Sequence, residues 1–270
     1  MSSTPSPVLR ALSPSRAGDF MQCPLMFRFR VIDRLPEKPS PAAKRGTLVH
    51  AVLERLFELP AESRTPRSAL ALLEPQWKEL REREPEIMEM FADDTALQEW
   101  LSAARALVER YFEMERPERL EPREREMRLE VELADGPRLR GYIDRLDVAP
   151  NGQVRIVDYK TGKKPSARFE EKARFQIFFY AVMIWRETGR VPDRLQLLYL
   201  GGDGGARWYD PTEAELRDAE AHIRSVWDEI TAAARAGEWQ PRKSKLCGWC
   251  DYQAHCPEFG GTPPPLPASS

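Results

Sequence analysis

The sequence lacks any continuous apolar run near the roughly 18–20 residues that a membrane-spanning helix requires. Its best stretch, FFYAVMIW, lies inside an amphipathic pattern. The amino terminus shows no hydrophobic signal-peptide segment, so a cytoplasmic protein with no membrane association is expected. No G-x-x-x-x-G-K-[ST] phosphate loop occurs, which argues against a helicase motor within this chain. An excess of charge is missing too: 41 Lys and Arg stand against 43 Asp and Glu, net −2, so there is no global field to attract a polyanion. Nucleic-acid binding would have to use local patches. Arg28 with Arg30, Lys44-Arg45, Lys160 with Lys163-Lys164, and Arg242-Lys243 with Lys245 are the candidates. Histidine is scarce, at three residues, and cysteine also, at four.

What is present is enough apolar composition, 41% of 270 residues, to bury a substantial core. Residues 1–12 and 261–270 are rich in Ser and Pro and read as disordered tails. Ser13-Pro14 predicts a helix running toward Cys23-Pro24, with Ser as cap and Pro at the first position. The spacing of GTLVHAVLERLFEL predicts a second helix over 46–59, and further helices are expected over 67–83 and 93–115. The period then changes to two. EMRLEVEL, RLRGYIDRLDV and QVRIVDYK are joined at Asp135-Gly136 and Pro150-Asn151-Gly152, forming an antiparallel meander whose third strand should break at Thr161-Gly162. A helix over about 168–186, a strand RLQLLYL, a short ARWYD segment and a helix over about 212–234 follow. The order predicts one α/β domain over 13–260 with a mixed sheet. Its parts are a helical insertion over 47–115, a β-β-β-α-β core over 124–200, and a helix with a cysteine-bearing tail over 212–260.

The hairpin between the second and third strands suggests chemistry. If its loop centres on Asn151, Asp144 and Asp158 face each other across the strands, while a two-residue Asn-Gly turn shifts them by one. Like charges so placed repel unless protonated or bridged, and a divalent cation such as Mg²⁺ or Mn²⁺ resolves the conflict. Lys160 shares the face of Asp158 by the period of two and could orient water or stabilise charge on a phosphodiester. The plainer alternative is a set of strand-end salt bridges. His50 alone could be a satisfied core histidine, and Gln176 and Tyr180, four apart on a helix, could simply pack. His222 and His255 are read as surface residues.

Cys247-x-x-Cys250-x5-Cys256 supplies three thiolates, and Cys23 is the one candidate left to complete a four-cysteine site. Such a site would tie the first helix to the carboxyl end, offsetting loop entropy. Zinc and an iron–sulfur cluster both accept four cysteines. Phe27, Phe29 and Trp249 are interleaved with the basic residues, a pattern suited to an unpaired strand, although Trp249 is expected to pack around the cluster.

GTLVH, GYIDRLD, IVDYKTGK and QIFFY, in that order and spacing with the cysteines, resemble the RecB-like nuclease branch of the PD-(D/E)XK superfamily. The cysteine pattern is similar to the iron-staple nucleases of the AddB and CRISPR-associated type. The first aspartate here follows Ile143 rather than proline, a departure common in the RecB-like branch. The resemblance implies a restriction-endonuclease-like fold, metal ligation by His50, Asp144 and Asp158, and catalysis assisted by Lys160. Gln176 and Tyr180 would support the active site. A further family glutamate would be Glu130 or Glu132, and Cys23, Cys247, Cys250 and Cys256 would hold a [4Fe-4S] cluster rather than zinc. The expected activity is Mg²⁺- or Mn²⁺-dependent hydrolysis of DNA, most simply exonucleolytic cutting of a single strand in repair, recombination or CRISPR adaptation, with a helicase or adaptation partner. The alternatives are a catalytically silent DNA-binding subunit of a helicase–nuclease complex and a zinc-stapled module unrelated to nucleic acid.

Overall fold

The computed structural model describes residues 10–166 and 170–267. Helix α1 (Pro14–Gln22) starts where Ser13 and Pro14 predict, with the Ser13 hydroxyl accepting from the Arg16 amide at 3.3 Å. A short α2 (Pro24–Phe27) and a π-helical turn (Arg28–Ile32) follow. Helix α3 (Pro41–Leu56) begins at Pro41 rather than Gly46, because Ser40 caps it and Pro41 fills the first position. The helix expected over 67–83 is two, α4 (Pro66–Ala71) and α5 (Leu73–Arg83), and α6 (Asp94–Met114) is capped by Asp93.

The sheet has the order β1-β2-β3-β4-β5. Strands β1 (Pro122–Glu132), β2 (Arg138–Val148) and β3 (Val154–Lys163) form the antiparallel meander. Helix α7 (Glu171–Thr188) then crosses to β4 (Arg194–Gly201), which runs parallel to β3, and β5 (Gly205–Tyr209) closes the sheet antiparallel to β4. Arg168, expected near the start of α7, lies outside the described residues. Helix α8 (Glu213–Ala236) carries a capping box of Thr212 and Glu215. Among the described residues no helix is long and apolar enough to cross a membrane.

Two hydrophobic cores flank the sheet. One joins α1, α2, α7 and α8 to the face bearing Leu139, Ile143, Ile156 and Leu197. The other joins α3, α5 and α6 to the face bearing Val157, Tyr159, Leu198 and Leu200. Residues 1–9 lie outside the described residues, but the inner end of the expected amino-terminal tail is not loose. Ala11 and Leu12 are buried, and Leu12 bridges to β2. At the other end, Gly261 donates to the Cys256 carbonyl at 2.9 Å and Pro264 accepts from the Arg28 guanidinium.

The β2–β3 hairpin places the site. Its turn holds Gly152 at φ 82°, where a left-handed backbone favours glycine, and the pairing of Arg145 with Val157 is centred on Asn151. Continued by one residue, that register sets Asp144 opposite Asp158. There the two strands part. Leu12 takes the place of β3 beside β2, exchanging hydrogen bonds with Arg138 and Arg140 at 2.8 and 2.9 Å. Strand β3 does not break at Thr161-Gly162 as expected. It continues to Lys163 because β4 provides a parallel partner.

Close approach requires glycine at residue 201: a Cβ there would lie 2.6–2.8 Å from backbone atoms of Thr161 and Gly162. Gly201→Ala is expected to destabilise the protein by about 1–3 kcal/mol through forced backbone displacement. A urea denaturation midpoint equal to that of the wild type would disprove the tight β3–β4 contact.

Candidate active site

Where β2 and β3 separate, His50, Lys160 and Gln176 line a groove of about 1140 Å³ together with Glu126 and Tyr142, among others. His50 comes from α3, and its Nε2 lies 3.1 Å from the Tyr159 carbonyl oxygen. If Nε2 carries the proton and donates to that carbonyl, Nδ1 is left facing Asp144 Oδ1 at 3.5 Å and Glu126 Oε1 at 3.8 Å. Orientation of one ring nitrogen by a backbone carbonyl is how a histidine presents the other to a metal. Asp144 is itself positioned, since its Oδ2 accepts from the Tyr159 amide at 2.7 Å.

One ligand atom from each of His50, Glu126 and Asp144 lies within 4.8 Å of the others, a donor set of nitrogen and two carboxylates that suits a hard divalent ion. The expected third member, Asp158, is 1% exposed and differently engaged. Its Oδ2 lies 2.6 Å from the Lys160 ammonium but outside hydrogen-bond geometry, so this buried oxygen remains without a hydrogen-bond partner. Lys160 instead donates to Gln176 Oε1 at 2.8 Å, and Gln176 donates to the Tyr180 hydroxyl at 3.2 Å. The fold therefore links Asp158, Lys160, Gln176 and Tyr180 in one chain of polar contacts beside the His50 cluster.

Glu126 is the residue that sequence reading missed. Glu130 and Glu132, the expected glutamates, are exposed and paired with Arg128 and Arg138. Glu126 continues the β1–β2 register to a position opposite Asp144, and its backbone is left-handed at φ 42°. A non-glycine residue held there is strained, and such strain gathers at functional sites. Its position, eighteen residues before Asp144 in a strand with six other acidic or basic residues, gave no distinguishing signal; only the kink separates it from them.

Below the groove, Arg145 is fully buried. It donates to Glu115 at 2.7 and 2.9 Å, to Asp147 at 3.0 and 3.2 Å and to the Tyr159 hydroxyl at 2.7 Å. Tyr159 thus has its side chain fixed by Arg145 while its backbone binds both His50 and Asp144.

The four cysteines meet at the opposite end of α1. Cys23, Cys247, Cys250 and Cys256 line one small cleft, and all four are free thiols. The Arg242 amide donates to Cys23 Sγ and the Ser244 amide to Cys247 Sγ, each at 3.3 Å. Burial, and then the neighbouring sulfurs, push the Cys250 thiol pKa up. Phe27 and Phe29 are buried and cannot stack bases. Trp249, expected to pack around the cysteines, is instead 81% exposed, because its short helical turn directs it outward. The basic patches are also largely spent: Arg28 pairs with Asp33, Arg30 with Asp19 and Glu37, Lys44 with Glu84, and Lys243 with Glu258. His222 and His255 are exposed, as expected.

The sequence pattern of the PD-(D/E)XK nuclease superfamily matches residues 11–257. The chain belongs to this superfamily. The nuclease is 24% identical over 286 residues to the gene 69 protein of Mycobacterium phage L5, covering 92% of this chain and 96% of that one. It is 26% identical over 277 residues to the gene 69 protein of Mycobacterium phage D29, with the same coverage. In three dimensions it resembles a candidate exonuclease from Eubacterium rectale with a TM-score of 0.58, at 16% identity, over 90% of this chain and 87% of that one. That likeness establishes the restriction-endonuclease-like fold.

Without a cation, the nuclease site holds protons. Burial opposes the charged form of His50, but Asp144, Glu126 and Asp158 together raise its pKa well above the usual histidine range. Burial raises Asp158 from its ordinary 3.8 to about 6, with Asp144 adding to the rise and Lys160 opposing it. For groups raised in this way, stability is fully present below the unfolded pKa and is lost as pH rises through the folded one, from about 4 to about 6 for Asp158. A divalent ion displaces those protons, so thermal stabilisation by Mn²⁺ is expected to grow between about pH 5 and about pH 8. Asp158→Asn should flatten the acid side of that curve. A Mn²⁺-induced shift in Tm that is constant across the range would exclude this coupling.

Proposed function

We propose that this protein is a divalent-metal-dependent exonuclease that hydrolyses single-stranded DNA and carries a structural [4Fe-4S] cluster, within one nuclease domain over about 13–260. The observation that carries the reading is the convergence of His50 Nδ1, Glu126 and Asp144 beside the Asp158–Lys160 pair at the mouth of one groove. His50, Asp144 and Asp158, joined by Glu126, would hold Mg²⁺ or Mn²⁺. When bound, the ion would polarise a phosphoryl oxygen and make water a stronger nucleophile. The protein's own groups do the rest. Glu126 and Asp144 orient water, Gln176 and Asp158 hold the Lys160 ammonium in place, and that ammonium stabilises the negative charge that builds on the phosphodiester. Hydrolysis forms a phosphorus–oxygen bond to water and breaks the bond to the leaving nucleoside oxygen. The exonuclease description of the Eubacterium rectale neighbour accords with this activity.

Cys23, Cys247, Cys250 and Cys256 gather at one small cleft as free thiols. Four thiolates suit either zinc or an iron–sulfur cluster, and the likeness of the cysteine pattern to the iron-staple nucleases favours the cluster. Its role would be to pin α1 to the carboxyl end of the chain, and a helicase or CRISPR adaptation complex would be a fitting partner.

End-labelled single-stranded DNA incubated with Mn²⁺ is expected to be degraded by the wild type and left intact by Asp158→Ala, with binding retained. Binding without cleavage by the wild type would assign the protein to a silent DNA-binding role instead. Protein purified without oxygen should contain about four iron and four sulfide per chain and absorb visible light, properties that Cys23→Ser should lose together with thermal stability. One zinc and no iron per chain would refute the cluster.

A further inference from the structure

The catalytic groove does not end at its acidic cluster. Ser15, Tyr142, Lys172 and Gln176 line both it and a second cleft of about 510 Å³, which lies between α1, α7 and the part of β2 that no longer pairs with β3. This cleft exists because β2 has separated from β3, so that Arg140 and Tyr142 extend beyond the last residue paired with β3. By the period of two they share a face, both are exposed, and Tyr142 is 56% exposed, an unusual fraction for an aromatic ring next to a catalytic groove. Two residues of strand put Tyr142 about 7 Å from Asp144 along β2.

Charge in the cleft is uneven once its internal pairs are removed. Asp19 is bound by Arg30, and Glu130 by Arg128 at 2.6 Å. Arg140 and Lys172 also line the cleft, and among the described residues neither forms an ion pair. Lys172 reaches across α1 at Gly18, where its Cε lies 3.6 Å from the position a Cβ would take. Ser13 and Ser15 add hydroxyls at the same wall. Two unpaired cations and an open tyrosine face, joined to a phosphodiester-cutting centre, match the two surfaces of an unpaired nucleotide: its phosphate and its base.

We propose that the Arg140–Tyr142–Lys172 cleft is a subsite for the unpaired nucleotide next to the scissile phosphate, its base stacked on Tyr142 and its phosphate held by Arg140 and Lys172. This rests on the nuclease reading and deepens it by naming the residues that would select an unpaired strand. A paired base hides its faces in the duplex stack, so the subsite selects single-stranded or frayed DNA.

Affinity for a labelled single-stranded oligonucleotide and for a blunt duplex, measured by fluorescence anisotropy in the Asp158→Ala background, tests the assignment. Tyr142→Ala is expected to weaken single-strand binding by about 5- to 150-fold, the range for losing one stacked base. Blunt-duplex binding should change by less than about twofold, and Tyr142→Trp should keep single-strand affinity, which separates stacking from misfolding. Arg140→Gln with Lys172→Gln should reduce the slope of log affinity against log salt by about 1.4 for a single strand. Unchanged single-strand affinity in Tyr142→Ala, equal losses on both substrates, or an unchanged salt slope would each overturn the subsite. If the wild type cleaves DNA in the same series, the nuclease reading survives that failure. If it cleaves none, the nuclease reading itself has failed.

Discussion

The repulsion among carboxylates at the split between β2 and β3 governs this structure. Antiparallel register sets Asp144 between Glu126 on one neighbouring strand and Asp158 on the other, so three acids lie in one row of the sheet. Adjacent like charges on strands destabilise the sheet, and burial makes Asp158 worse. Strands β2 and β3 cease to pair at that row, whereas β1 and β2 stay paired on both sides of it, and the groove opens where β2 and β3 part. The same repulsion makes the row receptive to positive charge, whether as a proton on His50, the Lys160 ammonium or a divalent ion. A site that suits a cation and an opening that admits a substrate thus lie at one row of the sheet.

Such a row survives only if its surroundings are rigid, and the buried guanidinium of Arg145 supplies much of that rigidity. Isolated, this charge would be very costly to bury, but Glu115 and Asp147 neutralise it and Tyr159 completes its hydrogen bonding. Because Tyr159 lies between Asp158 and Lys160, anchoring its ring fixes the backbone groups that aim His50 and Asp144. The link runs from α6, through Arg145, to the groove. Breaking it would disturb packing and site geometry together.

At the far end of α1 the four cysteines line one cleft. The first helix and the carboxyl-terminal segment are remote in sequence, yet the Arg242 amide rests on Cys23 and the Arg242 guanidinium on the Met21 carbonyl. Helix α1 itself packs against α7 and α8 through a shared hydrophobic core. Helix α1 is also one wall of the cleft beside the catalytic groove, so its attachment bears on where a nucleic-acid strand can pass.

Much of this was legible in the residues. The period-two runs, the Pro150-Asn151-Gly152 turn and the Ser13 cap act locally, and local chemistry decides strands, turns and helix starts. The turn also set a register centred on Asn151 that, continued by one residue, aligns Asp144 with Asp158 at the row where pairing stops, because register follows from where a hairpin bends. Tertiary structure alone decided what depends on contacts distant in sequence. Strand β3 outlasts Gly162 because β4 pairs with it, and Arg28 and Arg30 are structural because Asp33, Asp19 and Glu37 reach them. Glu126 joins the site through a backbone kink, and Trp249 faces solvent through a short turn's direction. Sequence by itself specified which groups carry charge and on which element they lie. Only the packed chain could decide which of those charges were already neutralised, since that depends on distances that no linear pattern contains.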